Sequence, residues 1–254
     1  MKKIMIFILL LFMPISLLSC NTNEKSENTL DCDMSENIHY EIGDIILKDG
    51  SIIKVDNLSK INSINEPMAV IIGLREDGRT LGMGIYKSKE SLQWAKDNSN
   101  GYHTMFTSII AKTESENAID ADFIGNTNGS DNWNKICLKD KQAQGMNYPA
   151  YQFANTYGQE HQLNGSYTLG WYIPSIAELC MIYQNKNIID FSLQKIYESN
   201  YQESMNGLET NWYWASSQSE SNNDYAWFVH FFNGYVSTCP KNFTNLHVIA
   251  VRAF

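Results

Sequence analysis

Charged residues are scarce in this sequence, and basic residues are scarcer than acidic ones. Asp, Glu, Lys and Arg make up 19% of the 254 residues, and the formal net charge is −9. A protein that binds nucleic acid presents a basic surface to the phosphates, so this balance argues against a nucleic acid partner. The 43% hydrophobic and 12% aromatic residues supply enough material for a core, which excludes intrinsic disorder as the main state.

Sequence motifs of metal sites and of catalytic sites are also missing. The five cysteines include no Cys-x-x-Cys pair, the five histidines form no His-Glu-x-x-His motif, and Ser216-Ser217 lacks a Gly-x-Ser-x-Gly turn. A loop that contains Asp120 and Asp122 offers oxygen ligands of the kind that calcium prefers, but it lacks the spacing of an EF-hand and is interpreted as a solvated turn. We therefore predict no catalytic residue, no bound metal and no cofactor.

The first twenty residues have the pattern of an exported lipoprotein. Two lysines precede an apolar run of about 15 residues, which is shorter than the roughly 20 that span a bilayer. The run ends in Leu17-Leu18-Ser19-Cys20, which resembles a bacterial lipobox, where the cysteine is acylated and becomes the mature N-terminus. This resemblance implies a signal peptide over residues 1–19, lipid attachment at Cys20 and an anchored position in the outer membrane or at the cell surface. An ordinary signal peptide that happens to end near a cysteine is the alternative.

The remainder of the chain divides into a tether and one domain. Residues 20–40 contain few apolar side chains and are predicted to be a flexible tether, whereas no Pro- or Gly-rich linker interrupts residues 41–254. Four cysteines follow the anchor, and an exported protein allows three disulfide pairings among them. Nothing in the sequence selects one pairing, and isolated buried thiols are equally compatible with it. These four residues are Cys32, Cys137, Cys180 and Cys239.

Periodicity and turn residues predict strands at both ends of the domain and helices between them. Ser175 and Glu178 have the spacing of a capping box, which predicts the start of a helix. Strands at both ends with helices between them favour an α+β fold whose termini pair in one sheet. The predicted hairpins cover 44–55 and 68–86, the helices 88–98, 148–157 and 188–197, a long surface loop 113–135, and the late strands 213–216, 226–232, 235–238 and 248–254.

Four stretches, taken in order, resemble a known family. They are Gly170-Trp-Tyr-Ile-Pro-Ser-Ile-Ala-Glu-Leu179, Trp212-Tyr-Trp-Ala-Ser-Ser217, Tyr225-Ala-Trp-Phe-Val-His-Phe231 and Val251-Arg-Ala-Phe254. This order is similar to the Lcl C-terminal domain family of bacterial surface proteins, which is related in fold to C-type lectins and formylglycine-generating enzymes. The resemblance covers roughly residues 41–254 and is clearest over 145–254. It implies a single C-type-lectin-like α+β domain with short strands, two to four helices and long loops.

The C-terminal stretch also resembles the variable proteins of diversity-generating retroelements, in which adenine-directed mutagenesis rewrites selected codons. Their frame of fixed places matches Ala226, Trp227, Val229, Phe231, Gly234, Val236, Lys241 and the terminal Val251-Arg-Ala-Phe254. The resemblance implies that residues between the fixed places contact a ligand, within about 213–250. The predicted ligand-binding residues are Phe228, His230, Phe232, Asn233, Tyr235, Ser237, Thr238, Asn242, Phe243, Asn245 and His247.

The alternation of residues along the strand predicted over 226–232 also indicates a ligand-contacting face. Alternate strand residues face opposite sides, so Trp227, Val229 and Phe231 are expected on the core face. The other face then carries Phe228, His230 and Phe232. Aromatic side chains on a solvent-exposed face are typical of binding surfaces, since they give large contact area at small entropic cost. The alternative is a strand that is buried on both faces.

These observations predict a surface-displayed lipoprotein, not an enzyme, that binds an unknown protein or glycan through its C-terminal stretch and touches the membrane only through its lipid. Three alternatives remain open at this point: a glycan-binding lectin, a formylglycine-type oxidase on the same scaffold, and a structural envelope lipoprotein. The oxidase needs a reactive pair of cysteines, and Cys239 stands alone in the C-terminal region. The loop and strand motifs of calcium-dependent sugar-binding lectins are absent.

Overall fold

The computed structural model describes residues 40–60, 65–199, 201, 203–208 and 211–254. The predicted signal peptide, the lipid attachment site Cys20, Cys32 and the tether as far as residue 39 lie outside these residues. None of the helices within the described ranges combines the length and the apolarity that a membrane span requires.

A five-stranded antiparallel sheet joins the two ends of the domain. Its strands are β1 (Ile45–Leu47), β2 (Ile52–Ile53), β3 (Pro67–Leu74), β4 (Thr80–Lys87) and β10 (Ile249–Ala253). Their order in the sheet is β10-β4-β3-β1-β2. Both predicted hairpins are confirmed, and Gly78 adopts a φ of +79° in the turn between β3 and β4. The prediction that strands from both ends of the domain share one sheet is also confirmed.

A second antiparallel sheet contains three strands, β7 (Trp212–Gln218), β8 (Tyr225–His230) and β9 (Tyr235–Pro240), in the order β7-β8-β9. A short ladder of β5 (Ala111–Lys112) and β6 (Ile124–Gly125) accompanies it. Each strand of the second sheet begins within a residue of its predicted start. β8 ends at His230 rather than at the predicted residue 232, because the chain turns after that residue.

Four α-helices lie in the described ranges, and they are α1 (Asn132–Lys139), α2 (Pro149–Glu160), α3 (Ile176–Gln184) and α4 (Lys186–Glu198). Short 3₁₀ segments cover Val55–Lys60, Thr107–Ile109, Gly145–Asn147 and Gly165–Thr168. The capping box at the start of α3 is confirmed, because the Glu178 backbone N–H donates to Ser175 Oγ and the Ser175 N–H donates to Glu178 Oε2 at 2.7 Å. The predicted α+β class is therefore confirmed.

Two apolar clusters fill the domain, one on each side of the three-stranded sheet. The first packs the five-stranded sheet and helices α3 and α4 against one face, which contributes Tyr213, Val229 and Val236. The second surrounds Trp94 and meets the other face at Trp214, Ala226 and Phe228. Both faces therefore contact a core over part of their length, and each face keeps partly exposed residues, such as Trp227 on the first and His230 on the second.

The predicted helix over residues 88–98 is wrong. This segment has no helical turns, because its backbone donors pair with the C-terminal stretch instead of with carbonyls four residues earlier. Ser88, Leu92 and Ala95 donate to the carbonyls of Val248, Leu246 and Lys241 at 2.8–3.1 Å. The expected core contacts within the segment do form, since Trp94 and Ala95 are both fully buried.

The predicted surface loop over residues 113–135 is only partly correct. It contains β6 and the start of α1, and it also contributes two buried asparagines. Asn126 and Asn132 pair through their amides at 2.7 and 3.0 Å, and Asn132 also donates to Ser216 Oγ at 2.8 Å. A polar composition indicated a loop, but these amides bond to one another inside the protein and hold the segment against β7.

Candidate ligand-binding surface

Six aromatic side chains form a continuous surface at one end of the three-stranded sheet. Strand register brings four of them onto the second face, since Trp212 pairs with His230, His230 pairs with Tyr235, and Phe228 lies two residues from His230. Phe232, from the hairpin after β8, and Phe243, from the segment after β9, complete the group. We call this group the aromatic platform, and its members are Trp212, Phe228, His230, Phe232, Tyr235 and Phe243.

Ring contacts connect the whole aromatic platform, with Trp212 at its centre. The Trp212 ring lies parallel to Phe228 at 5.2 Å between centroids and also contacts His230 at 5.0 Å and Phe243 at 6.4 Å. Tyr235 meets the edge of Phe228 at 6.4 Å, and Phe232 lies 6.0 Å from His230. The rings therefore support one another and present a preorganised surface.

Exposure differs sharply across the platform. Phe232, Tyr235 and Phe243 are 69%, 40% and 39% exposed, whereas Phe228 is only 4% exposed. The prediction that Phe228 faces solvent is wrong, because Trp212 and Tyr235 cover its ring and the second apolar cluster lies beneath it. Phe228 supports the exposed rings from below.

The hairpin between β8 and β9 determines which aromatic side chains point outward. Asn233 and Gly234 both donate to the carbonyl of His230, at 3.3 and 2.8 Å, and Gly234 has a φ of +74°. This tight turn directs Phe231 inward, where its ring packs edge-on against Tyr213 at 5.0 Å. Phe232, the next residue, points to solvent.

The other predicted contact residues lie in different environments. Asn233 and Asn245 are exposed, and Ser237 is half-buried on β9. Thr238 is also half-buried, but it pairs with Trp227, so the strand register places its side chain on the face opposite the platform. Asn242 and His247 are held by the segment that follows β4. The Asn242 carbonyl accepts from Gln93 Nε2 at 2.8 Å, and His247 Nδ1 lies 3.0 Å from the Ser88 carbonyl oxygen.

Sequence reasoning missed Trp212 as a platform residue. Its indole is half-buried, although Trp214, two residues further along the same strand face, is completely buried. The available signal was the position of Trp212 at the beginning of a strand, where its side chain packs against the margin of the second apolar cluster and stays partly exposed.

Trp214 and several fixed places of the family frame lie in or against the core. Trp214, Val229 and Phe231 are fully buried, and Trp214 Nε1 donates to the Leu92 carbonyl at 2.7 Å. Trp227 is half-buried and donates from Nε1 to the Ala111 carbonyl at 2.8 Å. Phe254 is also half-buried and packs edge-on against Trp171.

Lys241 is an unusual scaffold residue because its side chain is completely buried. Its ammonium group donates to the carbonyls of Gly101, Tyr102 and Thr104 at 2.9, 3.2 and 3.0 Å. The rings of Trp94 and Phe106 lie 4.9 and 5.2 Å from Nζ. Burial lowers the pKa of Lys241 to about 7. This side chain fastens the 101–104 loop beneath the C-terminal stretch.

The thiols of the described residues are poorly suited to nucleophilic chemistry. Cys137, Cys180 and Cys239 are free, and burial raises the pKa of both Cys180 and Cys239 to about 12. A thiol with so high a pKa holds almost no thiolate at neutral pH. Within the same ranges, no cluster of three His, Cys, Asp or Glu side chains has the arrangement of a metal site.

Comparison with known proteins shows the family of this chain and a similarity in fold to a solved structure. The family model of the Lcl C-terminal domain matches residues 85–252. The structure of a fimbrial protein from Bacteroides ovatus ATCC 8483 is similar in fold, with a TM-score of 0.57 and 18% sequence identity. The similarity covers 85% of this chain but 49% of the fimbrial protein, so the chain spans about half the length of that protein. No curated protein matches the sequence.

Proposed function

Because the chain belongs to the Lcl C-terminal domain family, we propose that it is a surface-displayed lipoprotein that binds a protein or glycan ligand non-covalently through the aromatic platform. In this proposal the exposed rings provide the contact area. Neighbouring amides and hydroxyls, including those of Asn233, Asn245 and Ser237, provide hydrogen bonds at the edge of the contact.

The proposal depends on one observation: in the C-terminal stretch, the fixed places are mostly buried and several residues between them are exposed. Most places of the fixed frame are buried, namely Ala226, Val229, Phe231, Gly234, Val236, Lys241 and Val251. The places between them include the exposed residues Phe232, Asn233, Tyr235, Phe243 and Asn245. A stretch that only stabilised the fold would not need three large aromatic side chains in solvent within twelve positions. The division is typical of a rigid scaffold that presents a binding surface.

Replacing Phe232 and Tyr235 with serine tests the platform. We expect the full chain in detergent to keep its Tm within a few degrees, because Phe232 is 69% exposed and neither Phe232 nor Tyr235 belongs to the buried core. Binding to arrayed glycans and bacterial surface proteins should weaken by roughly a hundredfold or more, as expected when two central aromatic contacts are lost. Binding curves on every array spot that retains the unmodified chain provide the measurement.

Two matched variants control for a general loss of exposed apolar surface. Leu138→Ser and Phe191→Ser remove side chains that are 68% and 46% exposed on α1 and α4. They should leave array binding unchanged. Equal loss of binding in the controls, or unfolding of the Phe232 and Tyr235 variant, would refute the platform as the binding surface.

The proposed anchor is tested at Cys20. A Cys20→Ala chain should not incorporate labelled palmitate and should leave the membrane fraction, because acylation of this thiol would supply the hydrocarbon that holds the protein there. Retention of Cys20→Ala in the membrane fraction at the level of the unmodified chain would argue for another mode of attachment.

The proposed diversification predicts a specific genomic arrangement. Near the gene there should be a reverse transcriptase gene and a near-copy of the codons for residues 213–254, with differences restricted to adenines of the copy. These differences should occur at codons of the predicted contact residues and spare the buried frame. Sequencing of the locus measures this directly, and the absence of such a copy would leave a binding protein with a constant platform.

A further inference from the structure

The outer edge of β9 is covered along only half of its length. Near the start of the strand, the Val236 N–H donates to the Glu116 carbonyl, and the Ala118 N–H donates to the Gly234 carbonyl, both at 2.8 Å. Asn117 pairs with Tyr235 between these two bonds. Residues 116–118 thus act as a short fourth strand beside the first residues of β9.

Beyond Val236, the segment that precedes residue 116 no longer pairs with β9. Residues 111–112 form β5, which pairs with β6, and the Ala111 carbonyl accepts from Trp227 Nε1. Backbone groups alternate in direction along a strand, so Thr238 directs its N–H and carbonyl away from β8, as Val236 does. No other residue in the described ranges hydrogen-bonds to these two groups of Thr238. Pro240, the last residue of β9, has no N–H, and its carbonyl accepts from the Phe243 N–H at 2.9 Å. The open part of this strand edge is therefore at Thr238.

A cleft of about 280 Å³ follows this open edge and is lined by Trp227, Ser237 and Thr238 on the sheet side. A second cleft of about 450 Å³ shares Lys112 to Ser115 and Glu220 with the first. Five carboxylates and one basic residue, Lys112, lie in the combined lining, and Lys112 is 3.5 Å from Glu220. The carboxylates belong to Glu114, Glu116, Asp120, Asp122 and Glu220.

We propose that this edge binds an extended peptide segment of a partner protein that carries Lys or Arg at alternate positions. The segment adds a strand to β9 in line with residues 116–118 and bonds to the free backbone groups of Thr238. Alternate side chains of an added strand point to the same side, which brings its cations over the acidic lining. The chain's own tether is a poor occupant, because residues 21–37 contain five acidic residues and one lysine.

Short synthetic peptides test the proposal on the full chain in detergent. The probes are a blocked Lys-Thr-Lys-Thr-Lys-Thr peptide, its Glu-Thr counterpart, and the Lys-Thr peptide with N-methyl groups on alternate residues. NMR shifts at residues 236–240 report binding. We expect the Lys-Thr peptide to bind, with an affinity that falls as salt is added, and the Glu-Thr peptide not to bind. Alternate residues of the peptide direct their N–H groups to the same side. N-methylation of the residues whose N–H groups face Thr238 should weaken binding about fivefold to tenfold.

Variants of the chain test the same contacts from the side of the protein. Thr238→Pro removes one N–H at a strand edge, a position where proline is tolerated, and should weaken binding about fivefold to tenfold, whereas Thr238→Val should bind normally. Combined Glu114→Gln and Glu116→Gln should lower the affinity and flatten its salt dependence. If Thr238→Pro lowers the Tm markedly, the N-methylated peptide tests the same hydrogen bond.

Three results would overturn the proposal: equal binding of the Lys and Glu peptides, no binding of the Lys peptide, or unchanged affinity after both Thr238→Pro and N-methylation. Serine substitution of Phe232 and Tyr235 separates this site from the aromatic platform. This double variant should leave peptide binding unchanged. Loss of peptide binding in it would show that the peptide binds to the aromatic platform instead of to β9.

Discussion

Replacement of Lys241 with methionine should destabilise the domain by about 3 kcal/mol, or roughly 10 °C in Tm, because buried carbonyls then lose their donor. Methionine fills a similar volume, so the effect isolates the ammonium group. The carbonyl of Tyr102 depends on it most. The Thr104 carbonyl also accepts from Gln218 Nε2 at 3.1 Å, and the Gly101 carbonyl also accepts from the Thr104 N–H at 3.4 Å. Urea unfolding followed by fluorescence measures the change.

Lys112→Met is the matched control for this prediction. The Lys112 side chain is 52% exposed and lies 3.5 Å from Glu220, so its loss should change stability by no more than about 0.5 kcal/mol. Comparable losses in the two variants would mean that the carbonyls around Lys241 find water or another donor. The role of Lys241 in fastening the 101–104 loop would then be wrong.

Gly234→Ala should cost about 3 kcal/mol, because two separate effects add at this position. The residue has a φ of +74°, which an alanine adopts with strain. A Cβ would also lie 2.5 Å from Tyr183 Cε1 and 2.8 Å from its Cζ, which is too close for atoms of a packed ring. Thermal unfolding of the purified variant measures the sum of the two effects.

Gly78 separates these two effects. It has a φ of +79° in the turn between β3 and β4, but a Cβ there would meet no atom within 4 Å. Gly78→Ala should therefore cost about 1 kcal/mol, which is the conformational part alone. Adding Tyr183→Leu to Gly234→Ala should recover part of the loss. Equal costs at the two glycines would show that Tyr183 moves aside freely and that the hairpin is less tightly held than its contacts indicate.

The sequence predicts elements well where local signals and tertiary packing agree. The Ser175–Glu178 capping box, the Asp77-Gly78 turn and the alternation in β8 each depend on neighbouring residues, and each appears in the structure. The segment 88–98 has helical spacing of apolar residues, yet its backbone bonds to residues 241–248. That pairing joins parts of the chain about 150 positions apart, and local periodicity carries no information about it.

The position of the aromatic platform was predictable from the sequence, but the burial of its individual residues was not. Alternation distinguished Val229 from His230 correctly, but it could not show that Trp212, from another strand, covers Phe228. Lys241 occupied a fixed place of the family frame, and its burial depends on three carbonyls and two rings contributed by residues 94–106. Exposure at these positions is a property of tertiary contacts, which a single sequence does not reveal.

Hydrogen–deuterium exchange with and without an array ligand tests the central claim most directly. If the aromatic platform is the binding surface, bound ligand should slow exchange of amides in residues 230–236 and 242–246 and leave helix α4 unchanged. Protection confined to α4, or to residues 112–116 and the open edge of β9, with no change in 230–236, would contradict the claim.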